Sequence, residues 1–198
     1  MSLVLRGKRI NVRSFKKSDA ESLQENINEK LISQFTRAPY PYNLQDAEDF
    51  IDLSNLELKN KKSFLLGIEF KETGKVIGGI SLMDVDWKKK EAELGYWIGK
   101  NYRGKGLMKE AVDIILKFGF MEIKLERITA DVSTKNPASR KIVDKMKFKY
   151  CGWKFEEGWG RLLLKRMLIF ELFMKGFIKL NIFSLLYSPC DFKPISCE

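Results

Sequence analysis

Three short stretches carry residue types that can do chemistry. "RGKG" (103–106) places two glycines and two cations in a turn just ahead of a helix whose apolar face is Leu107, Met108, Ala111, Val112, Ile115 and Phe118. "AELGYWIG" (92–99) puts Glu93 four residues before Trp97, on one face of a strand by alternation. "NPAS" (136–139) sets Ser139 three residues after Asn136, a good helix cap with Pro137 in the first turn behind it. The turn points to anion binding. Glycines let the backbone approach a ligand closely at positive φ. Free N–H groups of the first helical turn and the helix dipole add partial positive charge, and Arg103 and Lys105 add full charges. A diphosphate suits such a turn; the alternative is a surface β-to-α turn whose glycines only satisfy geometry. Two other phosphate turns are excluded by counting. Gly99-Lys100 is followed by Asn101 where a Walker loop needs Ser or Thr, and Leu94 stands at its first glycine position. A dinucleotide fingerprint starting at Gly104 would need a third glycine where Lys109 stands.

The chain contains no histidine. Ser-His-Asp triads, Cys-His pairs and HExxH zinc sites are therefore impossible, and proton transfer falls to carboxylates, Tyr, Ser, Lys, Cys, backbone or water. Cys151, Cys190 and Cys197 form neither a CxxC pair nor a zinc spacing, so no metal is expected. With an opening "MSLVLRGKR" that lacks an apolar signal core, three thiols point to a reducing cytoplasm. The 36 basic against 26 acidic residues leave a net charge of +10, which favours nucleic acid, phosphorylated cofactors, ribosome surfaces or acidic lipid, or is simply a Lys-rich solvated surface. With 198 residues, 44% hydrophobic and 31% charged, the chain is long enough for one globular domain with a real core.

The elements that must position these residues can be read in order. "LRGKRINVRSF" (5–15) alternates as a first strand. A helix follows from Ser18 as N-cap through Leu23, Ile27 and Leu31, then a loop "FTRAPYPYNL", then a second helix capped by Asn43 with Asp46 in its first turn. Residues 63–70 and 75–85 flank "KETG" as a hairpin, "WKKKEAE" is a charged turn, and 92–99 is the next strand. After the 107–118 helix come a strand at 126–134, a helix at 136–146 and two closing strands, "KYCGWKF" and "RLLLKRMLIFEL". The order β-αα-βββ-α-β-α-ββ predicts a mixed α/β or α+β domain. The expected division is a domain over 1–172 and an apolar extension over 173–198. The apolar run from Leu168 to Tyr187 that leads into that extension carries Glu171, Lys175, Lys179 and Asn181, too many polar groups for a membrane span. Packing on the core or against a second copy is expected instead.

"AELGYWIGKNYRGKGLMKEAV" resembles the acetyl-CoA-binding motif of the GNAT N-acetyltransferases, whose loop is written Q/R-x-x-G-x-G/A. Together, "YPYNLQDAEDFI", "AELGYWIG" and "STKNPASRKIVDKMKF" resemble the branch containing the Rim-type ribosomal-protein N-terminal acetyltransferases. The resemblance spans about residues 5–171. It implies a GNAT fold: one central mixed β-sheet flanked by helices, with two splayed strands that bind acetyl-CoA. Three departures stand out. Asn101 replaces Gln or Arg, Lys147 replaces a glycine before an aromatic, and Val143 stands where many members carry a tyrosine acid.

The resemblance implies that backbone around Trp97 and Ile98 contacts the pantetheine arm. The amides from Tyr102 through Arg103, Gly104, Lys105, Gly106 and Leu107 to Met108 would cradle the diphosphate, and Asn136 would reach the arm. Acetyl transfer to an amine needs a neutral, aligned amine, a donor for the developing oxyanion and help for the leaving thiolate. Glu93 is the candidate base, the alternative being an exposed strand carboxylate paired with Lys or Arg. Ser139 is the candidate for protonating the thiolate or orienting the cofactor, the alternative being an ordinary early-helix serine. Tyr40, Tyr42, Asp46, Glu48 and Asp49 would wall the acceptor side. The acceptor is expected to be a protein N-terminal α-amine, with small amines (polyamine, amino sugar or antibiotic) as the alternative. A non-catalytic basic RNA- or ribosome-binding module and attachment to a membrane surface are readings from other classes. No specific DNA binding is expected, while ribosome association and a homodimer stay open.

Overall fold

The computed structural model describes residues 2–157 and 164–178. The opening stretch expected as one strand folds as two. Gly7, Lys8 and Arg9 reverse the chain between Val4–Arg6 (β1) and Ile10–Arg13 (β2), with Leu5 opposite Val12 and the Gly7 N–H donating to the Ile10 carbonyl at 2.9 Å. The helix expected from Ser18 to Leu31 is also broken. A 3-10 turn (Lys17–Asp19) leads into Ala20–Ile27 (α1), and a separate short helix, Lys30–Phe35 (α2), follows. Ser18 is not its cap. The Asp19 carboxylate accepts from the Lys16 N–H at 2.7 Å, because the buried Arg13 guanidinium grips both its oxygens at 2.7 and 2.9 Å and holds it there.

The second expected helix forms as Leu44–Lys59 (α3), with the expected start. Asn43 Oδ1 accepts from the Asp46 N–H at 3.0 Å, and Asp46 Oδ2 accepts from the Asn43 N–H at 2.8 Å, a reciprocal capping box. Phe64–Phe70 (β3) and Val76–Asp86 (β4) are the predicted hairpin, followed by Glu91–Ile98 (β5). A 3-10 turn (Lys100–Tyr102) leads to Leu107–Lys117 (α4), which one π-helical turn extends to Glu122. Arg127–Ser133 (β6), Pro137–Lys145 (α5), Lys149–Glu157 (β7) and Leu164–Phe173 (β8) complete the order.

The eight strands form one sheet in the order β1-β2-β3-β4-β5-β6-β8-β7, with every pair antiparallel except β5–β6. One core cluster joins Leu107, Ala111 and Ile115 of α4 and Val143 of α5 to Ile80, Leu94 and Ile128 of the sheet. A second joins Leu23, Ile27, Ile32, Ala47 and Ile51, from α1 to α3, to Val76, with Trp97 packed against it. Lys147 takes the left-handed conformation (φ 62) that the missing glycine would favour. The N–H of Phe148 bonds the Val143 carbonyl, and that of Lys147 the Asp144 carbonyl, so α5 ends in a Schellman motif despite the substitution.

Residue 173, the expected start of the extension, is the last residue of β8. A helical turn over 174–178 then buries Phe177 against Phe120, ring centroids 5.2 Å apart. Residues 179–198, which hold Cys190, Cys197 and the rest of the apolar run, lie outside the described residues. Among the described residues no helix is long and apolar enough to cross a membrane.

Candidate active site

The parallel pair at the centre of the sheet is short. β5 and β6 are in register only at Glu91–Arg127, Ala92–Ile128 and Glu93–Thr129. Beyond Glu93, β5 continues along β4 while β6 continues along β8, so the strands part and residues 94–98 border a wedge instead of a neighbouring strand. A cavity of about 770 Å³ runs through it. Glu93, Trp97, Asn136 and Ser139 all line this cavity.

Alternation along β5 assigns the walls. Trp97 packs on the α1–α3 side, and Glu93 shares its strand face at the fork itself. Tyr96 and Ile98 face the side of α4 and α5. There the Tyr96 hydroxyl lies 2.8 Å from Ser139 Oγ and 3.2 Å from the Ser139 carbonyl. Burial, partly offset by the bond to Ser139, pushes the Tyr96 phenol up to about 12, so it is neutral at physiological pH. Asn136 caps α5 through its Oδ1, which accepts from the Ser139 N–H at 3.1 Å. Ser139 is thus held on three of its polar groups.

The "RGKG" turn stands apart from this cavity, at the N-terminus of α4. Gly104 and Gly106 both have positive φ, 75° and 76°, and Gly106 is the helix N-cap. A Cβ added at Gly104 would meet no protein atom within 4 Å. Among the described residues no side chain caps α4, and no protein acceptor takes the amides of 104–108. Leu107 and Met108 bury their side chains in the core and leave only their N–H groups at the turn. Two expectations need correction here. The amides of Tyr102 and Arg103 are already spent on the carbonyls of Gly99 (3.0 Å) and Lys100 (3.3 Å), so the open cradle is 104–108 rather than 102–108. Nor does Arg103 add a full charge to the turn. Its guanidinium forks onto Glu29 at 3.0 and 2.5 Å and its Nε donates to the Ile98 carbonyl at 3.2 Å.

Arg9, paired with Glu110 as Arg103 is with Glu29, braces the turn. Its Nη1 donates to the Lys105 carbonyl at 2.8 Å and its Nε to Glu110 at 3.0 Å, which ties the β1–β2 hairpin to the turn. Lys105 lies over the Tyr102 ring, 5.7 Å from its centroid, and Tyr102 packs in turn on Phe70. On the acceptor side, Tyr42, Asp46 and Asp49 line the cavity, whereas Tyr40 and Glu48 are exposed and away from it. Tyr42 donates to the Asp46 carbonyl at 3.0 Å; burial, then Asp46 and Asp49, raise its pKa. Neither Tyr96 nor Arg9 was marked by local sequence. Their partners lie 43 and 96–101 residues away.

A profile of the acetyltransferase (GNAT) domain matches residues 9–149. The chain belongs to this GNAT family. It is an acetyl-CoA-dependent N-acetyltransferase, and the splayed pair β5–β6 is the expected GNAT feature. The uncharacterized N-acetyltransferase p20 of Bacillus licheniformis is 30% identical over 158 residues, covering 78% of this chain and 88% of that protein. A putative ribosomal N-acetyltransferase of Bacillus subtilis is 28% identical, covering 77% and 81%. Among solved structures, the ribosomal-protein-S5-alanine acetyltransferase of Vibrio fischeri superposes with a TM-score of 0.77 at 19% identity, covering 88% of this chain and 98% of that one. A chimeric spermidine N-acetyltransferase from Vibrio cholerae gives 0.73 at 16%, covering 86% and 99%. At these identities the two structures speak for the GNAT fold alone.

The described residues fit acetyl-CoA. The glycine turn has free amides and open space where a side chain would stand, the wedge offers a stretch of β5 that β6 no longer pairs with, and Glu93 and Ser139 line one cavity.

Proposed function

We propose that this GNAT enzyme acetylates the α-amine of a protein N-terminus, of the ribosomal-protein type. What carries the reading is the cavity's acceptor wall. Thr36, Arg37, Ala38, Pro39, Tyr42, Asp46 and Asp49 line it, a border of loop and helix residues against which a peptide would lie, with two carboxylates beside one arginine to draw in a cationic amine. The B. subtilis relative named as a putative ribosomal acetyltransferase supports it. The net charge of +10 supports transient contact with an anionic ribosome surface. The same acidic wall would also hold a polyamine, which is the second reading.

Bound acetyl-CoA supplies an acetyl group activated as a thioester. The chain's part is to bind, orient and move protons. The amides of 104–108 hold the diphosphate, backbone around Trp97 and Ile98 the pantetheine arm, and Asn136 keeps the first turn of α5 in place. Glu93 at the fork, directly or through water, removes the proton that an α-amine of pKa about 8 carries at neutral pH. Ser139 Oγ donates to the departing sulfur. Steady-state kinetics with acetyl-CoA should give a higher kcat/KM for short peptides with free, small N-terminal residues than for spermidine or an aminoglycoside. A small amine that outpaces every peptide tested would defeat the protein-acceptor reading and leave the acetyltransferase intact.

A further inference from the structure

The geometry points to Tyr96 as a positioning residue that aims the Ser139 hydroxyl at the leaving sulfur from across the gap between β5 and β6. This rests on the proposed role of Ser139. A helical serine ordinarily turns its hydroxyl back to a carbonyl one turn earlier or out to water. Ser139 Oγ instead meets the Tyr96 hydroxyl at 2.8 Å, and that hydroxyl also reaches the Ser139 carbonyl at 3.2 Å. The two residues sit on different walls. Tyr96 lies three positions past the fork on β5, and Ser139 lies in the first turn of the helix that follows β6. Val143 is the buried residue of α5, four positions further on. The Tyr96 contact is therefore a cross-link that fixes the helix start over the gap.

The Tyr96 hydroxyl has one proton, for which Ser139 Oγ at 2.8 Å and the Ser139 carbonyl at 3.2 Å compete. In the productive arrangement Tyr96 gives it to Ser139 Oγ, the nearer of the two, and the serine proton is free to point into the cavity. The Tyr96 phenol stays protonated, since burial pushes it up to about 12. An ordinary thiol ionises near 8.5, so the tyrosine is roughly three powers of ten the weaker acid. The pair therefore stabilises sulfur by hydrogen bonding and does not surrender a proton. As the amine nitrogen bonds the carbonyl carbon, the C–S electron pair goes to sulfur. The amine proton passes to Glu93 or water, and the thiolate is finally neutralised from solvent.

The test compares Tyr96→Phe, Ser139→Ala and the double variant with the full chain. Phe keeps the ring and removes only the hydroxyl. Tyr96→Phe should lower kcat about tenfold, the loss of one hydrogen bond toward a developing charge, with acetyl-CoA affinity changed less than twofold. The double variant should be no slower than Ser139→Ala, because Tyr96 acts through Ser139. A readout without turnover is the thiol titration of bound coenzyme A, followed by thiolate absorbance. Either single variant should raise the midpoint by about one unit, a tenfold change in ionisation. A double variant in which the two losses multiply, or a titration midpoint unmoved by Tyr96→Phe, overturns the inference. A wild-type kcat in Ser139→Ala would instead remove Ser139, and with it the premise. Melting curves of the free variants exclude a loss of fold as the cause.

Discussion

Gly104 and Gly74 form a matched pair built into the fold. Their φ angles are 75° and 69°, and at both an added Cβ meets no protein atom within 4 Å. Alanine should therefore cost each site only the backbone strain of a left-handed L-residue, about 1–2 kcal/mol, less what the chain regains in unfolded-state entropy. The net loss should be about 1 kcal/mol for both, visible as a few degrees in melting temperature. Only Gly104 borders the proposed diphosphate cradle; Gly74 closes the β3–β4 hairpin. At Gly104 the methyl group also occupies the space a phosphate would enter, and the strain favours turn conformations that disperse the amides. A shift of 1.4 kcal/mol in that equilibrium is a factor of ten, so Gly104→Ala should weaken acetyl-CoA binding about tenfold and Gly104→Val more. Isothermal titration of both alanine variants with acetyl-CoA is the assay. Equal affinity in Gly74→Ala and Gly104→Ala, alongside equal melting temperatures, would refute the placement of the diphosphate.

Glu93→Gln should lower kcat at neutral pH by about 10²-fold or more, and the deficit should shrink above the amine's pKa of about 8; a pH–rate profile parallel to wild type would remove Glu93 as base. Lys147→Gly should raise stability by about 1 kcal/mol, since Lys147 pays the left-handed cost at φ 62 in the Schellman turn; denaturant unfolding checks it. Arg13→Met should cost about 3–5 kcal/mol, because it strands two carboxylates, Asp19 and Glu69, whose side chains are 7% and 17% exposed. Glu69 also gives stability a pH signature. Burial opposes its charge, but hydrogen bonds from Asn11 and Arg13 outweigh that and hold its pKa below the ordinary 4.5. Its contribution is therefore full above that value and is lost as pH falls below it through the folded-state pKa; unfolding in Arg13→Met should show a weaker dependence over that range.

What could be read in advance was what lies close in sequence. The "RGKG" turn was legible because two glycines before a strongly amphipathic helix state their geometry locally, and both do take positive φ. The Asn43–Asp46 and Asn136–Ser139 caps are three-residue signals, and both formed. Period-two alternation placed Glu93 on the strand face of Trp97. The failures have two causes, ambiguous local signals and distant partners. The β1–β2 reversal over residues 7–9 and the Arg13–Asp19 pair, six residues apart, lie close in sequence but carry no capping or turn pattern that an alternating strand or a Ser N-cap would not also fit. The charge of Arg103 is met by Glu29, 74 residues away in sequence, and Tyr96 meets Ser139, 43 residues away, so neither pairing shows in a local pattern.

The account turns on catalysis taking place where β5 and β6 part. The most direct measurement is a crystal structure with coenzyme A and an N-acetylated peptide. The account predicts phosphate oxygens on the amides of 104–108, the thiol sulfur within hydrogen-bonding reach of Ser139 Oγ, and the peptide amide nitrogen facing Glu93 along the Tyr42–Asp49 wall. A sulfur outside the β5–β6 gap, or a peptide bound away from that wall, would contradict it.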